Sequence, residues 1–211
     1  MAYHKGCTDA AAMALDLDET ASQTILHQAA TARAEGHAPP NSSELVQALK
    51  TREKSAPRQR YRLADFAGSW RLYFITGTRK TRKQAGSVIG RGRYLPRGLC
   101  IKLHYDIDTE TTGSVQNSVS LGPLKLRLTG PVKFWPQPQC LAFDFTQLCI
   151  TVGELTLYRG RVKPEAAEQD FYELPLKEQA FFKYFWQTDE GIAARGRGGG
   201  LALWYRQPEQ P

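Results

Sequence analysis

The alternation of apolar and polar positions changes rhythm once along this chain. From Thr8 to Glu35 good helix formers dominate: many alanines, with Leu15, Leu17, Ile25 and Leu26, and few β-branched residues. Gly36 and Pro39-Pro40 end that run. Asn41-Ser42-Ser43 then offers a cap, and Leu45, Val46 and Leu49 repeat at helical spacing as far as Lys54. The spacing predicts an N-terminal α-helical hairpin. Neither helix can bury much alone, so the pair is expected to lean on the rest of the chain or on a protein partner. Ser55 to Arg60 reads as a polar linker, which divides the chain into a helical segment over 1–57 and a second unit over 58–211.

After Tyr61 the period becomes two. Trp70, Leu72 and Phe74 share one face of an extended segment, and Gly68 before them suits a strand that bends hard with an indole filling its end. Leu99, Ile101, Leu103, Tyr105 and Ile107 alternate with Cys100, Lys102, His104 and Asp106. Ser114 to Leu121 alternates as well, and Leu124, Leu126 and Leu128 take turns with Lys125 and Arg127. Cys140–Phe145, Glu154–Val162, Phe181–Thr188 and Gly200–Arg206 follow, many of them separated by Gly- or Pro-containing turns. The total is about eight or nine strands in an antiparallel meander.

With no helix predicted between strands, such a pattern is satisfied by a sandwich or by a closed barrel. Closure removes exposed edges, and an eight-strand barrel is just wide enough for one small ligand, so the barrel is the expectation. Its lumen would be lined by alternate residues: Trp70, Leu72, Phe74, Ile101, Leu103, Tyr105, Leu126, Phe143, Leu157, Tyr184 and Leu203. In the aromatic block, placing Phe182, Tyr184 and Trp186 inside leaves Phe181 and Phe185 outside, where the N-terminal helices would cover them.

Several segments resemble a known family. Gly68-Ser69-Trp70 is similar to the G-x-W start of lipocalin-like barrels. Leu121–Trp135, Leu141–Ile150 and Ile192–Trp204 follow in an order that resembles the plastid lipid-associated protein (fibrillin) domain, over roughly residues 60–206. In that family an arginine-glycine turn leads into the last strand, as Arg195-Gly196-Arg197-Gly198 precedes Leu201–Tyr205 here. The likeness is closest to cyanobacterial-type members. It implies a mainly β, lipocalin-like (calycin), up-and-down barrel that binds or carries a quinone, carotenoid or polar lipid at photosynthetic membranes. It implies no catalytic residue. The location it implies is cytoplasmic with peripheral thylakoid contact, or plastid stroma and plastoglobules in a eukaryote. Lipocalin-like folds also often set an arginine over the tryptophan at the closed end, for which Arg197 and Arg206 are both candidates.

Charge adds a second theme. The net charge of +7 is concentrated: residues 58–98 carry eleven Lys and Arg against Asp65 alone, whereas the segments on either side are slightly acidic. Arg79, Lys80, Arg82 and Lys83, followed by Arg91 and Arg93, would form a basic rim able to touch an anionic membrane surface at about 1 kcal/mol per residue. The same residues suit two alternatives. One is a bilin-binding lyase or chaperone for phycobiliproteins, with Arg91 and Arg93 on the propionates. The other is RNA binding through 79–97, although the aromatics lie far along the chain, so nucleic acid is not the expected partner.

Chemistry-bearing patterns are sparse. The four histidines lack metal spacing, no G-x-S-x-G occurs, and Arg195–Gly200 lacks the Lys-Ser/Thr of a phosphate loop and reads as a tight turn. His104 is expected at the solvent or at the lumen edge. The four cysteines have no C-x-x-C spacing and read as reduced. Mean hydropathy is −0.46 and no long apolar run or leader-like segment is evident. The expectation is a binding protein without catalytic or metal site.

Overall fold

A computed structural model describes residues 6–55, 60–77 and 92–207, with side chains from Asp18 onward. Helices α1 (Gly6–Glu35) and α2 (Ser42–Ser55) form the expected hairpin. Strands β1 (Gly68–Ile75), β2 (Arg93–Tyr94), β3 (Leu99–Ile107), β4 (Thr112–Leu121), β5 (Leu124–Trp135) and β6 (Cys140–Phe143) follow. After them come β7 (Gln147–Val152), β8 (Leu155–Arg161), a short helix α3 (Ala166–Glu173), β9 (Ala180–Gln187), β10 (Gly191–Gly196) and β11 (Leu201–Arg206).

Eight of the eleven strands close into an antiparallel barrel, in the order β1, β3, β4, β5, β6, β9, β10, β11 and back to β1. Each barrel strand pairs with the next barrel strand in sequence, so the ring is an up-and-down meander. β2 is a two-residue addition to β1, and β7 and β8 extend the sheet beyond the ring.

That extension has a local cause. β5 pairs with β7 along Leu124–Thr129 and with β6 along Val132–Trp135. Between the two stretches stand Gly130 and Pro131. A side chain at Gly130 would meet the Asp144 carbonyl oxygen at 2.3 Å, and Pro131 has no N–H to donate. The opposing chain is kinked over Asp144–Thr146 and held there by Thr146 N–H donating to Thr129 O at 2.9 Å. Below the kink β6 pairs with β9 and closes the ring; above it β7 pairs with β8 instead. The upper halves of β3, β4 and β5, together with β7 and β8, therefore rise past the barrel as a five-strand arm. Helix α3 braces the kink: Glu168 accepts a hydrogen bond from Thr146 and pairs with Arg161 at 3.3 Å.

Two cores result. Inside the barrel Phe66, Trp70, Leu103, Tyr105, Val115, Val132, Leu141, Tyr184, Ile192 and Trp204 pack together. Outside it, Leu26, Ala29 and Ala30 of α1 and Leu45, Val46 and Leu49 of α2 cover Phe185, Trp186, Leu201 and Leu203. The helices thus rest on the barrel wall, and a paired Arg195–Glu53 contact ties β10 to α2.

The facing of three residues differs from expectation, two of them because of β-bulges. β1 shifts register between Leu72 and Phe74, so Phe74 turns outward opposite Leu203, which is also outward. β9 and β10 shift between Ala193 and Ala194, which turns Trp186 from the lumen to the helices. Phe74, Leu203 and Trp186 are wall residues under the helices and do not line the lumen. For Phe74 and Trp186 the reason is one extra residue, which reverses the inside–outside order of everything beyond it; β11 carries no bulge, and Leu203 faces out because Ala202 and Trp204 take the inner face.

Candidate functional site

The inner core of the barrel is fully buried toward one end and half-buried toward the other. At the packed end the 3-10 turn Leu63–Phe66 closes the ring. Gly68 there has φ of 99°, a value open to glycine, and lets β1 fold in so that Trp70 is fully buried. Trp70 Nε1–H donates to Phe66 O at 2.7 Å, and the Arg206 guanidinium lies 4.1 Å from the indole centroid. Arg206, and not Arg197, is thus the arginine over the tryptophan. Arg197 instead donates to the carbonyls of Gln179 and Lys177. Phe66 stacks on Tyr184 at 4.3 Å, and the Tyr184 and Tyr105 hydroxyls share a hydrogen bond of 2.9 Å. Burial pushes both phenols well above their ordinary range. Trp70, Phe66 and Tyr105 are at most 1% exposed, so no water-sized space touches them.

Toward the other end the same inner face loosens. Leu72, Phe143, Phe145, Phe182 and Ala202 are only half-buried against the inner core. Phe182 stacks on Phe143 at 5.0 Å and meets Trp204 edge-on at 5.2 Å. Register carries this face onto the arm in rows. One row runs Leu103, Asn117, Leu128, Leu148; the next runs Ile101, Val119, Leu126, Ile150, Tyr158; the last runs Leu99, Leu121, Leu124, Val152, Leu155. Exposure rises from row to row, from buried Leu103 to Leu155 at 65%.

Asn117 stands out in this face. It is the polar member of an otherwise apolar row, and its carboxamide oxygen is buried without a hydrogen-bond partner among the described residues. A buried amide oxygen left without a donor is costly, so a donor from outside the chain would be favoured there. Sequence reasoning did not single it out, although a polar residue between Val115 and Val119 in a strictly alternating strand is a readable signal.

Of the residues expected to line the lumen, Trp70, Leu103, Tyr105 and Tyr184 lie in the packed end, and Leu72 and Phe143 lie at the mouth. Ile101 and Leu126 belong to the arm's apolar face, half-buried above the mouth. Leu157 is a correction: it is 58% exposed at a bulge on β8, a strand outside the ring, because the alternation of a barrel wall and of a free arm is identical. Of the basic rim, Arg93 is exposed on β2, next to the end of β1. Arg79, Lys80, Arg82, Lys83 and Arg91 lie outside the described residues.

The opposite face of the arm is polar and basic. Lys102, Ser118, Arg127, Cys149 and Arg159 are in register across five strands. A groove of about 500 Å³ lies along this face, bordered by Gln116, Arg127, Thr129, Gln147, Arg159 and Arg161. His104 is on the same side of the sheet, hydrogen-bonded to Ser69 Oγ at 2.8 Å and to Asp106 at 3.1 Å. Cys100, Cys140 and Cys149 are free thiols. Among the described residues no helix is long and apolar enough to cross a membrane.

No protein-family model matches the chain, and no curated protein matches it. Among solved structures it is similar to a redesigned beta barrel, at 9% identity and a TM-score of 0.34, over 70% of this chain and 95% of that one. A likeness that slight carries no argument.

Proposed function

We propose that this chain binds and carries a lipophilic molecule at the barrel mouth, without catalysing a reaction. The observation that carries the reading is the half-exposed apolar face of Leu72, Phe143, Phe145 and Phe182, continuous with Ile101, Leu126 and Leu128 on the arm. A soluble chain gains roughly 25 cal/mol per Å² by covering such surface, and a prenyl or acyl chain covers it without needing any directed contact. Asn117 supplies a single polar anchor, suited to a ligand with a greasy body and one hydrogen-bonding head. The packed end excludes cargo from Trp70 and Tyr105, so the ligand lies across the mouth and not deep in the barrel.

A quinone, a carotenoid or a polar lipid fits these requirements. The resemblance of Leu121–Trp135 and its neighbours to the fibrillin domain is in keeping with such a cargo, and with a place at photosynthetic membranes. Trp204 provides the test, since it touches Phe182 at the mouth. Titration with a short-chain quinone is expected to quench tryptophan emission saturably, and Phe182→Ser together with Leu72→Ser to weaken binding at least about tenfold. Native mass spectrometry of protein taken from its own source is expected to show one bound lipophile. An empty protein whose emission falls only in proportion to added quinone would sink the reading.

A further inference from the structure

The far end of the arm has a construction that ligand carriage does not require. Two hairpin turns, Leu121–Leu124 and Val152–Leu155, lie side by side, and Gly153 N–H donates to Pro123 O at 2.9 Å to lock one to the other. Leu121, Leu124, Val152 and Leu155 form one row along this edge, at 59%, 44%, 38% and 65% exposure. Leu157 and Tyr158 stand just behind them, also exposed. Every large hydrophobic side chain exposed among the described residues belongs to β4, β5, β7 or β8, or directly follows β8. A solvated loop end does not ordinarily gather its apolar residues in this way.

Charge follows at a measured depth. Lys125 is one residue behind the row and Arg127 three, which at strand rise is roughly 10 Å; Arg159, four residues from Leu155 across the bulge at Leu157, is level with Arg127. Arg127 and Arg159 make no hydrogen bond or ion pair among the described residues, and both border the groove of about 500 Å³. Glu154 is the one acidic side chain within 117–127 and 148–159, against Lys125, Arg127 and Arg159. An interfacial segment sinks its apolar side about 5–10 Å into the boundary between headgroups and acyl chains. With the leucine row at that depth, the two arginines arrive at the phosphates.

We propose that the paired hairpin tips are a docking surface for an anionic phospholipid bilayer, with the Leu121–Leu155 row inserted and Arg127 and Arg159 holding lipid phosphates. The surface lies at the far end of the apolar face whose base forms the ligand mouth, and it uses none of the mouth residues Leu72, Phe143, Phe145 and Phe182. A chain that binds no quinone is still expected to bind vesicles.

Flotation of the full chain with phosphatidylcholine vesicles, with and without phosphatidylglycerol, tests the proposal. Binding is expected on the anionic vesicles. Leu121→Ser with Leu155→Ser is expected to weaken it at least about tenfold. Arg127→Gln with Arg159→Gln is expected to weaken it about thirtyfold on anionic vesicles, leaving the weak binding to neutral ones unchanged. A tryptophan introduced by Leu155→Trp is expected to shift to the blue and to be quenched by brominated acyl chains, a readout that needs no loss of function. Vesicle binding within about twofold of the parent in both double variants overturns the proposal. So does unshifted emission from the Leu155→Trp indole. A dimer in light scattering that the leucine variants dissolve also overturns it, because β8 is then an edge for a second copy of this chain.

Discussion

One sheet face has two opposite fates in this molecule. At the packed end, inner-face residues of eight strands meet across the barrel, and Trp70, Tyr105 and Tyr184 lose nearly all contact with water. On the arm the same alternating face continues through Leu126 and Ile150 to Leu155, but no strand among the described residues closes over it. The difference does not come from side-chain type, which is leucine, valine and aromatic throughout. It comes from whether the ring is closed at that height. Gly130-Pro131 and the kink at Asp144–Thr146 set where closure stops. Apolar surface therefore stabilises the fold at one end and stays exposed at the other.

The largest contrast is in stability. Trp70→Ala removes a buried indole, its hydrogen bond to Phe66 and the stacking of Arg206, and is expected to cost about 3–5 kcal/mol in urea unfolding. Leu155→Ala removes a side chain already in water and is expected to stay within about 0.5 kcal/mol. Equal costs for the two would break the comparison, because the arm would then have to be part of the folding core.

A smaller effect concerns the tyrosine pair. Tyr184→Phe leaves the Tyr105 hydroxyl buried with no partner and is expected to cost about 1–3 kcal/mol. The double variant Tyr105→Phe with Tyr184→Phe is expected to cost less than the sum of the two single changes, since neither orphan remains. Strict additivity in that cycle would mean the hydroxyls do not interact.

The smallest effect appears only in alkali. Burial raises the phenol pKa of Tyr105 and of Tyr184 in the folded chain, while in the unfolded chain both titrate near 10. Above that pH the unfolded state has released protons that the folded state keeps, so stability falls as pH rises, with no contribution below it. Tyrosinate absorbance is expected to include these two groups only as the chain unfolds. The double phenylalanine variant is expected to show a shallower alkaline loss. An unchanged slope would mean that the pair ionises without unfolding.

Much of the barrel was legible in the chain. The helical hairpin follows from alanine content and the Gly36 and Pro39-Pro40 stops, and the strands from strict alternation. The expected helix cover over Phe185 is present, as is the arginine over Trp70, although the choice of Arg206 over Arg197 needed geometry. The facing of Phe74 and Trp186 was not legible, because a bulge adds one residue without any mark in hydropathy, and that of Leu203 was not, because both faces of Leu201–Tyr205 are apolar. The branch at Gly130-Pro131 was written in plain residues but reads locally as a turn. Strands β7 and β10 were hidden for a related reason: Gln147–Val152 and Gly191–Gly196 are short, and their neighbours alone decide that they pair.

Period and composition, local properties of neighbouring residues, determined that this chain has two helices followed by an antiparallel β meander with apolar faces to hide. Which of those faces is hidden was decided only in three dimensions. Burial depends on what stands across from a side chain, and for Trp70 that is a closed ring, for Phe74 a helix, and for Leu155 nothing among the described residues.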